Sequence, residues 1–124
     1  IQPQVIVLTR LIPNCEGTSC ALPLEKIDDT ENAWILRVPF REFNPKVTDN
    51  WISRYDIWGY LETYAIDAQE RLLQQMGGKP DLIIGNYSDG NIVAYRMARQ
   101  LNVTHCNIAH SLEKPKHLFS NLYW

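Results

Sequence analysis

The stretch Asp81–His110, DLIIGNYSDGNIVAYRMARQLNVTHCNIAH, decides how this chain folds. Asp81–Asn86 (DLIIGN) reads as a strand. A short continuous apolar run bounded by polar residues fits a strand buried on both faces, as in parallel sheets. Ser88 or Asp89 then opens a helix in which Ile92, Val93 and Met97 recur near the helical period, and Leu101-Asn102 ends it. Thr104–His110 (THCNIAH) is a second, weaker strand. Strand, helix and strand with short joints are the repeating unit of a parallel α/β sheet.

Upstream the same grammar continues. Val5–Thr9 is a short β-branched run, and Ala33–Phe40 (AWILRVPF) a less pure one because it contains Arg37 and Pro39. Asp49 or Asn50 caps a long helix running to about Met76. Its stripe is Ile52, Tyr55, Trp58, Leu61, Ala65, Ala68, Leu72 and Met76, at spacings of three and four. Gly77-Gly78 stops it and Pro80 prevents resumption. Leu11–Glu31 has no clear period, and Pro13, Gly17, Thr18 and Pro23 make it a long connection, the kind of loop that tends to be functional or mobile. The expected fold class is α/β, a Rossmann-like parallel sheet with flanking helices.

Bulk properties narrow the function classes. The 124 residues are 45% apolar, enough for one core. A net charge of −2 offers no surface for tracking phosphates, which argues against a nucleic-acid partner. No stretch approaches the roughly 18 apolar residues of a membrane span. Three cysteines (Cys15, Cys20, Cys106), odd in number and unevenly spaced, argue against a disulfide framework and for a reducing cytosol. Ile1 runs almost directly into a strand, and Asn121–Trp124 stops on bulky apolar residues. Both ends read as cut from something longer.

In open parallel sheets ligands sit beyond the carboxyl ends of the strands, where loop amides and helix N-termini converge. Polar groups gather at those ends here: Thr9-Arg10, Phe40-Arg41-Glu42, Gly85–Asn91, and His110–Lys116. Arg54, one turn into the long helix, can face the same edge. A rim of such groups suits sugar hydroxyls. Each residue also has a plainer reading. Asn86–Asn91 serves as an ordinary strand-to-helix turn capped by Asp89, and it lacks the GxGxxG spacing of a dinucleotide site, so no cofactor is read there. His110 fits a hydrogen-bonded core position, Arg54 a surface ion pair, and Lys114 and Lys116 solvated loop charges. Trp51, Trp58 and Tyr60 suit sugar stacking or, on a helix, a core. Cys15 and Cys20 lack the second half of a metal motif, so no metal is expected.

The segments LTRLIP (8–13), GTSC (17–20), ILRVPFR (35–41), WISRYDIW (51–58), YLETY (60–64), KPDLIIGNYSDGN (79–91) and IAHSLEKPK (108–116) resemble consecutive blocks of sucrose synthase, in order and across nearly the whole chain. The GNYSDGN and IAH-x-LEK-x-K blocks separate that family from most related transferases. Sucrose-phosphate synthase, the first alternative, resembles the same region but reads differently around both blocks. A non-catalytic Rossmann-like binding module is the second alternative. The chain departs from the family pattern at Ala21-Leu22-Pro23, at Arg41–Pro45 and at His117–Ser120, which points to a divergent member of bacterial type.

The resemblance implies residues 1–124 of the acceptor-side, N-terminal domain of a two-domain GT-B glycosyltransferase. That enzyme moves glucose reversibly between a nucleoside diphosphate and fructose, with retention at the anomeric carbon. Carried over by position, His110 is the catalytic histidine beside the transferred glucosyl unit, and Arg54 and Lys116 are the cations on the fructose hydroxyls. The nucleotide sugar belongs mainly to a domain outside this chain, so the fragment alone is expected to be inactive. The resemblance further implies no cofactor, no metal, a cytoplasmic location and a homo-oligomeric full-length protein.

Overall fold

The computed structural model describes residues 3–41 and 44–110. Strands and helical segments follow one another as β1 (Val5–Leu11), β2 (Leu24–Lys26), β3 (Ala33–Pro39), α1 (Pro45–Thr48), α2 (Arg54–Ile57), a 3-10 turn (Trp58–Tyr60), α3 (Leu61–Met76), β4 (Leu82–Asn86), α4 (Tyr87–Leu101) and β5 (Thr104–Ile108). The expected α/β character and parallel pairing are both present. β1 pairs in parallel with β3, Val5 opposite Ala33 through Leu11 opposite Pro39. β4 pairs in parallel with β5, Leu82 opposite Thr104 through Asn86 opposite Ile108.

Several features differ from the sequence reading. The connection 11–31 contains β2, which runs antiparallel to β3, so the sheet β1-β3-β2 is mixed. Arg37 explains why β2 forms: buried within β3, it donates to Leu22 O at 3.1 Å and Ser19 Oγ at 3.1 Å and pairs with Glu25 Oε1 at 2.8 Å. A buried cation needs such partners, and here they pull the preceding loop alongside β3. The long helix is interrupted. Asn44 caps α1 with Pro45 in its first turn, Ser53 caps α2 by accepting from Tyr55 N, and the α-helical ladder resumes at Leu61. The Asp49–Ser53 stretch lies outside any helix. The last strand ends at Ile108, and α4 begins at Tyr87 rather than at Ser88 or Asp89.

Burial differs as well. β1 and β4 alternate instead of burying both faces. Ile6, Leu8 and Ile83 turn toward the core, while Val5, Val7, Leu82 and Ile84 stand exposed. The reason is one-sided cover: α3 packs on β3 and α4, and α4 on β4 and β5. The core gathers Leu36, Val38 and Phe40 around β3, Leu61, Tyr64, Ala65, Ala68 and Leu72 of α3, and Val93 and Met97 of α4. Of the predicted stripe, Leu61, Ala65, Ala68 and Leu72 are buried. Tyr55 and Trp58 are exposed, because they precede the regular helix. α3 ends where the sequence places its stop: Gly77, at φ 72°, donates its N–H to Leu73 O at 2.9 Å, a left-handed cap that glycine adopts without a Cβ penalty. Among the described residues, no helix is long and apolar enough to cross a membrane.

Candidate functional site

The β4–α4 turn does more than reverse the chain. Gly85, Asn86, Tyr87, Asp89 and Asn91 each carry a separate task. Gly85 lies against α4: a Cβ there would fall 2.8 Å from Ala94 Cβ and 2.9 Å from Asn91 Cα, well inside ordinary contact. Only glycine lets α4 sit this close to β4 at Asn91 and Ala94. That proximity lets Asn91 Nδ2 donate to Tyr87 O at 2.6 Å and Ile108 O at 3.2 Å. Asn91 Oδ1 meets His105 Nε2 at 3.1 Å. One amide therefore ties the first residue of α4 to the end of β5 and to His105 within it.

Two of the three site residues expected from sequence come to this turn. Arg54 Nη1 donates to Tyr87 Oη at 3.1 Å, and its guanidinium carbon lies 5.3 Å from the Tyr87 ring centroid. A cation over an aromatic face is held by the ring quadrupole as well as by the hydrogen bond. His110 Nε2 sits 2.9 Å from Asn86 Oδ1. Asn86 and Tyr87 are neighbours in sequence, so the partners of His110 and Arg54 are consecutive residues. Lys116 lies outside the described residues. Both Tyr87 and His110 adopt positive φ, 60° and 58°. That region is uncommon for residues other than glycine, and it persists where the surroundings dictate the backbone.

The remaining polar groups of the strand ends sort into structural roles. Arg10 donates from Nη2 to Thr48 O at 2.9 Å and Asn50 O at 2.8 Å, with Phe40 stacked 4.4 Å away. Burial lowers its pKa from the usual guanidinium value. Its charge holds the 44–50 segment in place. Arg41 forms a two-pronged pair with Asp67, at 3.1 and 3.0 Å, and this hydrogen-bonded carboxylate raises the Arg41 pKa. Asp89 accepts from the Trp58 indole rather than capping α4. Trp58 is thereby fastened to the turn and stays exposed, against the core reading offered from sequence. Tyr60 does pack inward, stacked on Phe40 at 5.2 Å. Trp51 is the most exposed large apolar side chain among the described residues, at 67%. Among those same residues, no three His, Cys, Asp or Glu side chains gather as metal ligands.

Sequence reasoning counted Tyr87 and Asn91 within the polar rim but gave neither a partner.

A family model described as the sucrose synthase first GT-B domain matches residues 1–124. A sucrose synthase of Thermosynechococcus vestitus is 72% identical over 99% of the chain, and one of Nitrosomonas europaea 52% identical over all of it. A Beta vulgaris sucrose synthase is 50% identical, again over the full chain. The chain spans about 15 to 16% of the length of these relatives. With the parallel α/β fold and the built turn at β4, these matches place the chain in the sucrose synthase family of glycosyltransferases, within its first GT-B domain.

Proposed function

We propose that this chain forms the acceptor side of an enzyme transferring glucose reversibly between a nucleoside diphosphate and fructose, with retention at the anomeric carbon. The observation that carries the reading is the convergence of Arg54 and His110 on consecutive residues at the end of β4. A guanidinium supplies several donors in a fixed plane, suited to sugar hydroxyls. An imidazole held by one nitrogen presents an oriented dipole to charge that develops at the anomeric carbon. Lys116 joins Arg54 as a second cation on fructose. The nucleotide sugar is held mainly by protein outside these residues, so the isolated chain lacks half a site. A cytoplasmic location belongs to the same reading, and three free cysteines, Cys15, Cys20 and Cys106, support it.

The test is steady-state kinetics on the full-length enzyme. His110→Ala should lower turnover by roughly 10²-fold while changing the fructose KM less, the scale of one preorganised polar group near the reacting carbon. Arg54→Ala and Lys116→Ala should each raise the fructose KM. Each lost charge-assisted hydrogen bond is worth about 1.5–3 kcal/mol at most. The KM for the nucleoside diphosphate should stay nearly constant. Normal fructose saturation in both cation variants would remove the acceptor site, and full turnover in His110→Ala would remove the catalytic role.

A further inference from the structure

We propose that Asn86 and Tyr87 are positioning residues for this acceptor site, Asn86 setting the direction and tautomer of the His110 ring and Tyr87 seating the Arg54 guanidinium. The inference rests on the roles given to His110 and Arg54 above, and it adds two residues to which neither sequence pattern nor family resemblance assigned a task.

An amide oxygen accepts but does not donate. With Asn86 Oδ1 2.9 Å from His110 Nε2, Nε2 carries the proton, and in the neutral ring Nδ1 keeps its lone pair. His110 is exposed. An exposed imidazole otherwise samples two broad ring orientations about χ2, and the Asn86 contact selects one. The positive φ at His110 fixes where its Cβ projects, so ring and backbone are constrained separately.

Tyr87 acts on Arg54 by two different interactions. Its hydroxyl accepts from Nη1 at 3.1 Å, and its ring lies beneath the guanidinium carbon at 5.3 Å. A long, flexible side chain is narrowed to a small set of rotamers when both the hydroxyl and the face of one aromatic ring engage it. The positive φ at Tyr87 turns the chain between β4 and α4, so that adjacent residues reach His110 on one side and Arg54 on the other. Asn91 keeps the assembly in register by bonding the carbonyls of Tyr87 and Ile108 together. His110 follows closely after Ile108, so this tie fixes the histidine's distance from the turn.

The two roles predict different kinetic signatures in the full-length enzyme, assayed for sucrose synthesis with fructose varied. Asn86→Ala should lower kcat about tenfold, the scale of a modest misplacement of a reacting group, while the fructose KM moves by less than about twofold. Asn86→Asp retains an acceptor oxygen and should recover most of that loss. Tyr87→Phe should raise the fructose KM about fivefold, as for loss of one hydrogen bond, with kcat little changed. A merely structural residue would lower the melting temperature without this split between kcat and KM. The proposal for Asn86 is overturned if Asn86→Ala keeps its kcat while His110→Ala loses it, or if Asn86→Asp is as slow as Asn86→Ala. The proposal for Tyr87 is overturned if Tyr87→Phe saturates normally while Arg54→Ala does not. If His110→Ala and Arg54→Ala are themselves silent, the acceptor-site reading fails, and these roles fail with it.

Discussion

Replacing Gly85 with alanine tests whether the β4–α4 turn is a built device. The new Cβ would stand 2.8 Å from Ala94 Cβ and 2.9 Å from Asn91 Cα, against the 3.4–4 Å of ordinary contact. It would also overlap Asn91 Oδ1. Ala94 is buried and Asn91 Cα is backbone, so relief requires α4 to lift away from β4. Overpacking of this kind costs about 1–3 kcal/mol. The Asn91 side chain must also leave its place, giving up its contacts with Tyr87, Ile108 and His105. Each of those bonds is worth about 0.5–1.5 kcal/mol net. Strain and lost bonds are partly alternative routes of relief, so about 3 kcal/mol is a fair total, on the order of a 100-fold change in a local opening equilibrium. Deuterium exchange in the full-length protein is the assay, read at amides of residues 87–92 and 104–108, with exchange in α3 as internal reference. Gly78→Ala is the control, since a Cβ added there would meet nothing within 4 Å and its φ is not positive. Unchanged protection at these amides in Gly85→Ala, together with normal kinetics, would refute the account of the turn.

Two further expectations concern stability and assembly. The Arg37 guanidinium, with Ser19, holds Glu25 below its usual carboxylate pKa. A depressed folded-state pKa contributes stability above the unfolded value and loses it as pH falls through the folded one. The β2–β3 region should therefore weaken as pH drops below the ordinary Glu range, and Glu25→Gln should flatten that part of a denaturation-against-pH curve. The isolated 124-residue chain should show no sucrose cleavage with a nucleoside diphosphate. It should self-associate in size-exclusion chromatography, because Val5, Val7, Leu82 and Ile84 are exposed beside strand edges that lack partners among the described residues. A monodisperse, active monomer would contradict both statements.

The alternation of strands and helices was legible in the sequence because its strongest signals were local. Gly77, the apolar stripe of α3 and the run Leu82–Ile84 each act within one element. β2 was not legible, since its existence depends on Arg37 drawing Ser19, Leu22 and Glu25 to it, contacts that reach 18 residues along the chain. The break before α3 was equally hidden. Ile52, Tyr55 and Trp58 keep helical spacing, yet Ser53 starts a new segment by capping Tyr55 N. Spacing reports which side chains can share a face, not whether the backbone between them stays helical. In the site, His110 and Arg54 were visible as chemical types at strand and helix ends. Their supports, Asn86 and Tyr87, were not, because a turn asparagine and a turn tyrosine carry no distinctive pattern until their partners are placed.

The position of the site follows from the chain path rather than from any single motif. Arg54 opens α2 and reaches the β4–α4 turn at Tyr87. α3 then carries the chain back before β4 rises, which makes Tyr87 meet Arg54 across 33 residues of sequence. β5 runs parallel to β4 and in register, Asn86 opposite Ile108, so His110 emerges just past Asn86. Parallel pairing therefore brings together residues 24 positions apart, and the β4–α4 turn aims Asn86 at the histidine. Trp58 and Asp89 add a second latch between the 54–58 corner and the first turn of α4. Two side-chain links from one short corner to one turn restrict rotation about either alone. For the acceptor site proposed above, such links would reduce the ordering cost that binding and catalysis must otherwise meet.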